Sequence, residues 1–249
     1  MNSILTLLMF ILLVWIGGKR GLKLFISLII NFIILMIAFY FIALGFNPIV
    51  ISLIGCLIIT YIILYFVNGE NIKTKASLMS VIIVLLILVV SIFIVATITK
   101  ISGFGYESYE EINMFSYDVD LDFTDVSIAL ILIGLIGATV DTSVAISSAL
   151  YEVYQNNKTL SKRELFLSGI TIGKDILGTT TNTLLFAFLG EFLTLLIWFK
   201  DVNYSLLDII NNKTFCAEFI KILFSGMGCI LVIPITSLIV SNKITKKKI

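Results

Sequence analysis

Seven stretches of this chain are apolar for long enough to cross a lipid bilayer as helices, and that repetition limits its fold more than any other feature. They lie near residues 2–17, 24–44, 49–67, 78–98, 126–150, 176–199 and 216–240. The hydrocarbon core of a bilayer is roughly 30 Å thick, so a helix crosses it in about 20 residues. Each run is near that length. Of the 249 residues, 59% are hydrophobic and only 13% charged, more apolar surface than one soluble core can hide. The reading is an all-α polytopic transmembrane helical bundle of about seven spans, a single integral membrane domain over residues 1–249. The first run resembles a cleaved leader in length, but its basic residues follow the apolar stretch instead of preceding it. It reads as a retained span.

The charges between the runs set an orientation. Lys19, Arg20 and Lys23 follow the first run, and Lys73 and Lys75 follow the third. Lys158, Lys162 and Arg163 follow the fifth, and Lys243, Lys246, Lys247 and Lys248 form the tail. With seven spans, all of these fall on one side. Basic loops stay in the cytoplasm, which places the N-terminus outside and the C-terminus inside. The basic tail then reads first as a topology signal, with attraction to anionic lipid headgroups as the alternative. Pro48 suits a helix start, and Pro234 makes a kink plausible in the last span. Trp15, Trp198 and Tyr65 near span ends fit an interfacial aromatic belt.

Several function classes drop out. The chain has no histidine, which removes the commonest transition-metal ligand and any triad that depends on imidazole. Cys56, Cys216 and Cys229 show no CxxC spacing and read as small apolar filler. The outer loop carries Glu107, Glu110, Glu111, Asp118, Asp120, Asp122 and Asp125 with no basic residue among them. It reads as a solvated loop, or as a vestibule that gathers cations. Its "DVDLD" lacks the glycine and terminal glutamate of an EF-hand loop. No cofactor, resident metal or nucleic-acid partner is expected.

Two polar segments stand out against this background. In "GLIGATVDTSVAISSALYE", Asp141 sits near the middle of a span, where an acidic residue costs about 3 kcal/mol on insertion scales. At helical spacing Asp141, Ala145, Ser148 and Glu152 share a face, with Gly134, Gly137 and Ala138 close to it. Small residues let another backbone approach closely. The carboxylate is therefore either a cation or proton site or a structural polar contact. The second segment is "SGITIGKDILGTTTNTLLFAFLGE". Gly169 and Gly173 form GxxxG, Gly178 follows, and Asp175, Thr179, Asn182 and Thr183 fall on one face. Three arrangements fit: a pathway lining, an unwound stretch offering carbonyls to an ion, or ordinary small-residue packing. Lys174 is placed to snorkel to the interface. Glu191 is a third acid within the spanning region.

These segments also resemble the signature of the YibE/F-like family of bacterial multi-pass membrane proteins. A G-x-x-G-A-x-x-D element is matched by Gly134, Gly137, Ala138 and Asp141. An S-G-x-x-I-G-[RK]-D element is matched by Ser168, Gly169, Ile172, Gly173, Lys174 and Asp175. A T-N-T-L-x-x-A-[YF] element is matched by Thr181, Asn182, Thr183, Leu184, Ala187 and Phe188. "GKRGLK" and "GFNP" fit as well. Lys174 stands where arginine is usual, which bears on any bidentate pairing there. The chain resembles the shorter, YibF-type member of what is often a pair. The resemblance implies the bacterial cytoplasmic membrane, a permease role, and a longer YibE-type membrane protein or a second copy as a partner.

The leading expectation is a transporter or permease component. Asp141, Asp175 and Asn182 would form a polar, acidic site between spans five and six, with Ser148, Thr179, Thr183 and Glu191 nearby and a cation or proton as the coupled species. The alternative is a non-transporting subunit that assembles with the longer partner through its small-residue faces. Enzyme activity is not expected. The sequence lacks HExxH, GxSxG and the paired motifs of intramembrane aspartyl proteases.

Overall fold

The computed structural model describes residues 2–101, 122–201 and 203–246. Every regular element among them is helical. In chain order these are α1 (Asn2–Ala43), α2 (Pro48–Tyr61), which continues as a π-helical turn over Ile62–Val67, and α3 (Ile72–Thr99). Then come α4 (Phe123–Asn156), α5 (Lys162–Asp201), the short α6 (Leu206–Asn211) and α7 (Lys213–Lys246). Most of the acidic outer loop, including Glu107, Glu110, Glu111, Asp118 and Asp120, lies outside the described residues, as do Lys247 and Lys248.

Six helices are long and apolar enough to cross a membrane. They carry the seven predicted spans because α1 holds the first two. Its helical geometry breaks at Gly18, with φ 53° and ψ −132°. That backbone conformation is open to glycine and strained for other residues. On a straight helix Phe10 and Phe25 would stand about 22 Å apart. Their ring centroids are 4.8 Å apart, so the two arms of α1 run back along one another. Gly21 lets the arms close: a Cβ there would run into the backbone carbonyl of Leu13.

Local chemistry sets the other helix starts. Asn47 precedes Pro48 and its Oδ1 accepts from the Val50 amide at 3.1 Å. Asn71 and Thr74 form a capping box at the head of α3. Ser161 and Glu164 do the same for α5: the Ser161 amide donates to Glu164 Oε2 at 2.8 Å and the Glu164 amide to Ser161 Oγ at 3.3 Å. This cap explains why α5 begins at residue 162, well before the apolar run at 176. Residues 168–183 are continuous helix, so the unwound alternative does not occur here. Helix α7 likewise continues through Pro234.

Helices α4 and α7 form the centre. Half of the apolar window of each is buried within the chain, against 12% for α5 and 17% for α1. Leu85, Leu88 and Ile92 of α3 pack with Leu132 and Leu135 of α4 and Val232 of α7. The cysteines are free and behave as expected: Cys56 and Cys229 are buried filler between helices. The basic segments gather at one end of the bundle. Arg20 beside the α1 turn donates to Asn68 Oδ1 at 2.9 Å, and Lys243 near the end of α7 lies 3.4 Å from the Lys75 carbonyl. At the opposite end Asn47 Nδ2 reaches Asp125 Oδ2 at 3.5 Å. The charge pattern read from the sequence thus corresponds to two real ends.

The α2–α3 loop at the basic end carries an exposed ion pair, Lys75 Nζ to Glu70 Oε1 at 2.6 Å. The ammonium holds the Glu70 carboxyl below its ordinary value of 4.5. A depressed carboxylate contributes stability that is present above its unfolded value and lost as pH falls through the folded one. Amide protection factors in residues 68–75, taken relative to intrinsic exchange at each pH, should therefore be constant at neutral pH and fall only below about pH 4.5, the ordinary carboxyl value. The same loss of protection in Glu70→Gln at pH 7 is the matching control, and an unchanged protection in that variant would remove the pair from the account.

Candidate functional site

A cleft of about 700 Å³ opens at the basic end of the bundle. Three segments build it. The turn of α1 brings Lys19, Arg20 and Lys23. The α2–α3 loop and the head of α3 bring Asn68, Asn71, Lys73, Thr74 and Ser77. Helix α4 brings Val144, Ser147, Ser148 and Glu152. The glycine turn at Gly18 carries the α1 basic residues over the α3–α4 seam, so the hairpin serves as one wall.

The floor of the cleft is a hydroxyl cluster. Ser77 and Ser147 face each other with their Oγ atoms 2.8 Å apart, and both are buried. Behind them, Ser143 Oγ lies 3.1 Å from Thr236 Oγ1 of α7. One helical step further, Thr142 Oγ1 lies 3.5 Å from Cys229 Sγ. Thr139 follows, packed where a Cβ on Gly228 would strike its hydroxyl. From Ser147 to Thr139 this series rises about 12 Å along α4. Thr139, Thr142 and Ser147 also donate to a carbonyl about one turn back on their own helix, at Leu135 O (2.8 Å), Ala138 O (2.8 Å) and Val144 O (3.0 Å), whereas Ser77 and Ser143 donate across the seam to each other's carbonyl at 3.2 and 3.4 Å.

The predicted carboxylate face of α4 lies beside this cleft. Leu130, Gly134, Gly137, Asp141, Ala145 and Glu152 form one line along the helix, and the rest of the chain leaves all six exposed. Ser148 is half-buried on the same line and belongs to the cleft wall with Glu152. The face thus runs from the cleft to Asp141. Among the described residues, no hydrogen bond or ion pair engages the Asp141 side chain. A Cβ built on Gly134 would stand 3.1 Å from the stem of Lys221, and nothing lies within 4 Å of where a Cβ on Gly137 would stand.

The second polar segment has a different geometry. Asp175, Thr179, Asn182 and Thr183 all lie on exposed parts of α5. Thr179 and Thr183 donate to their own helix, at Ile176 O (2.9 Å) and Thr179 O (3.0 Å). Among the described residues no hydrogen bond or ion pair joins Asp141 to Asp175 or Asn182. The structure places these residues on the uncovered faces of two separate helices. The side chain of Glu191 lies outside the described residues. The GxxxG glycines serve as a packing surface against α7. A Cβ on Gly169 would strike Ser237 and Leu150, and one on Gly173 would strike Ile233. Gly178 has open space around it.

Sequence reading picked out Ser148 and the Asp141 face but assigned the basic residues of the cleft to topology alone. Lys19, Arg20, Lys23 and Lys73 belong to separate loops, and only the fold shows that they share one concavity. Among the described residues, no group of three His, Cys, Asp or Glu side chains is placed to hold a metal ion. In comparison with known proteins, the family model described as YibE/F-like protein matches residues 5–246. No curated protein and no solved structure matches the chain.

Proposed function

The chain belongs to the YibE/F-like family, and on that premise we propose that it is a permease-type transport component of the bacterial cytoplasmic membrane and not an enzyme. Its basic end faces the cytoplasm. The observation that carries the reading is the cleft and its floor. A polar concavity opens from that end, and a series of hydroxyls continues from it into the packed centre of α3, α4 and α7. Polar groups inside a membrane bundle commonly mark a solute or ion path. Asp141, on the α4 face that borders the cleft, is the group suited to carry a coupled proton or cation.

The test is flux in proteoliposomes loaded with a pH-sensitive dye and challenged with panels of inorganic cations and anions. Wild type should show solute-dependent proton movement. Asp141→Asn should lower it at least tenfold, and Ser148→Leu should lower it by narrowing the cleft from its wall. Flux that persists unchanged in both variants would remove these residues from the pathway. No flux with any solute would remove the transport reading.

A second reading rests on the uncovered α4 face. Lipid tails solvate a carboxylate poorly, and a line of small residues around it suits a helix from another chain. The protein would then act as a subunit that assembles with a longer YibE-type partner. Gly137→Leu is the discriminating variant, because its surroundings within the chain are open. It should leave the fold intact and abolish co-purification with that partner.

A further inference from the structure

We propose that the cleft at the basic end is a binding site for a phosphate-class oxyanion, either free in solution or as the headgroup of an anionic lipid. The inference rests on the transport reading only in supplying a substrate class for it; the site itself stands on the geometry. Four cationic side chains, Lys19, Arg20, Lys23 and Lys73, line the cleft against one carboxylate, Glu152. Among the described residues none of the four is ion-paired. This is not general to the basic end, since Lys75 in the adjoining loop is neutralised by Glu70 at 2.6 Å. Like charges gathered in a concavity with low-dielectric walls focus a positive potential and concentrate anions there.

Two of the cations are also held in place. Arg20 donates to Asn68 Oδ1 at 2.9 Å. Asn68 is itself fixed: its Nδ2 donates to Ile63 O at 3.0 Å, and Asn71 Nδ2 donates to its carbonyl at 3.2 Å. A guanidinium tethered by one donor keeps the others for a bidentate partner, and phosphate oxygens match that fork. Lys73 Nζ stands 4.6 Å from the centre of the Tyr151 ring, which steers it without neutralising it. The half-buried Ser148 and the floor pair Ser77 and Ser147 supply hydroxyls for the anion's remaining oxygens. At about 700 Å³ the cleft falls within the usual range of small-molecule sites. It has room for an ester substituent on the phosphate as well as for the bare ion.

The experiment uses the full-length protein in two settings. Delipidated protein in a zwitterionic detergent is titrated with radiolabelled inorganic phosphate by equilibrium dialysis. Protein in nanodiscs of phosphatidylcholine, with or without phosphatidylglycerol, is released into native mass spectrometry to count retained anionic lipid. Arg20→Gln and Lys73→Gln are compared with Lys162→Gln, which alters a cation of the same end outside the cleft. Saturable phosphate binding, weakened at least about tenfold by each cleft variant and not by Lys162→Gln, supports a free oxyanion; one charge-assisted hydrogen bond is worth about that factor. Retained phosphatidylglycerol that both cleft variants lose supports a headgroup. Neither ligand bound, or binding indifferent to the cleft variants, overturns the site. The same variants enter the flux assay. Anion binding without flux of any solute overturns transport and leaves the site, whereas flux without anion binding overturns the site and leaves transport.

Discussion

Gly173→Leu is expected to prevent the first half of α5 from docking on α7, while Gly178→Leu, five residues along the same helix, leaves the fold unharmed. A Cβ on Gly173 would already overlap Ile233. Ile233 cannot withdraw easily, because it is buried in a cluster with Leu150 of α4 and Leu165 of α5. Overpacking of this kind costs about 1–3 kcal/mol, and more where backbone has to move. The far half of α5 has its own anchor, with Phe188 and Phe192 packed on Phe215 and Phe219 of α7, but the first half depends on the glycine seam. Leu165, Gly169 and Gly173 are its buried residues over its first three turns. Losing that seam should free the first half of the helix, while the aromatic contacts hold the second. At Gly178 the surroundings are open, and leucine is the better helix former by several tenths of a kcal/mol on scales measured in water. Thermal unfolding in detergent, together with protease sensitivity of the 157–161 connection, separates the two. Equal stability of both variants would mean that α5 is not anchored through Gly173.

The contrast shows what a sequence of this kind makes legible. The number of crossings and the sidedness of the loops follow from apolar run lengths and from lysine and arginine placement, because lipid imposes both. In the structure six helices are long and apolar enough to cross, the basic segments gather at one end, and the α1 hairpin falls at the Gly17–Gly18 pair between two runs. Which helix faces which is another matter. The small-residue motif at Gly169 and Gly173 marks a close approach, but nothing local says whether α4 or α7 makes it. Asp141 and Asp175 look like partners in sequence because both interrupt apolar runs. Their relative placement depends on the packing of α5 against α7, which no periodicity encodes. The cleft was hidden for a similar reason. Its cations come from the α1 turn and the head of α3, and a basic residue beside a span already has a sufficient explanation as a topology signal. The floor serines were hidden because single hydroxyls in apolar helices usually bond to their own backbone. Ser147 does so, to Val144 O at 3.0 Å, while also meeting Ser77.

Asp141→Leu should make the isolated chain more stable and the working protein inactive. The carboxylate lies near the middle of a 34-residue helix, on a face that the rest of the chain leaves uncovered. An aspartate at the centre of a span costs about 2.5–3.5 kcal/mol on insertion scales, while leucine contributes a few tenths favourably. With no hydrogen bond or ion pair to lose among the described residues, the substitution removes that cost and leaves no stranded partner. Membrane insertion and thermal stability of the purified protein should therefore both rise. A purely structural carboxylate held by contacts within the chain predicts the reverse, because deleting one member of a buried polar contact destabilises. Function should move the other way. If Asp141 carries a proton or cation, flux disappears in the leucine variant; if it meets a partner helix, co-purification of the longer subunit disappears instead. Insertion efficiency, melting temperature, flux and co-purification measured together on this one substitution decide among these roles. Higher stability with flux and assembly both retained would show that the carboxylate serves neither, and an explanation for its cost would have to be sought in folding or membrane insertion.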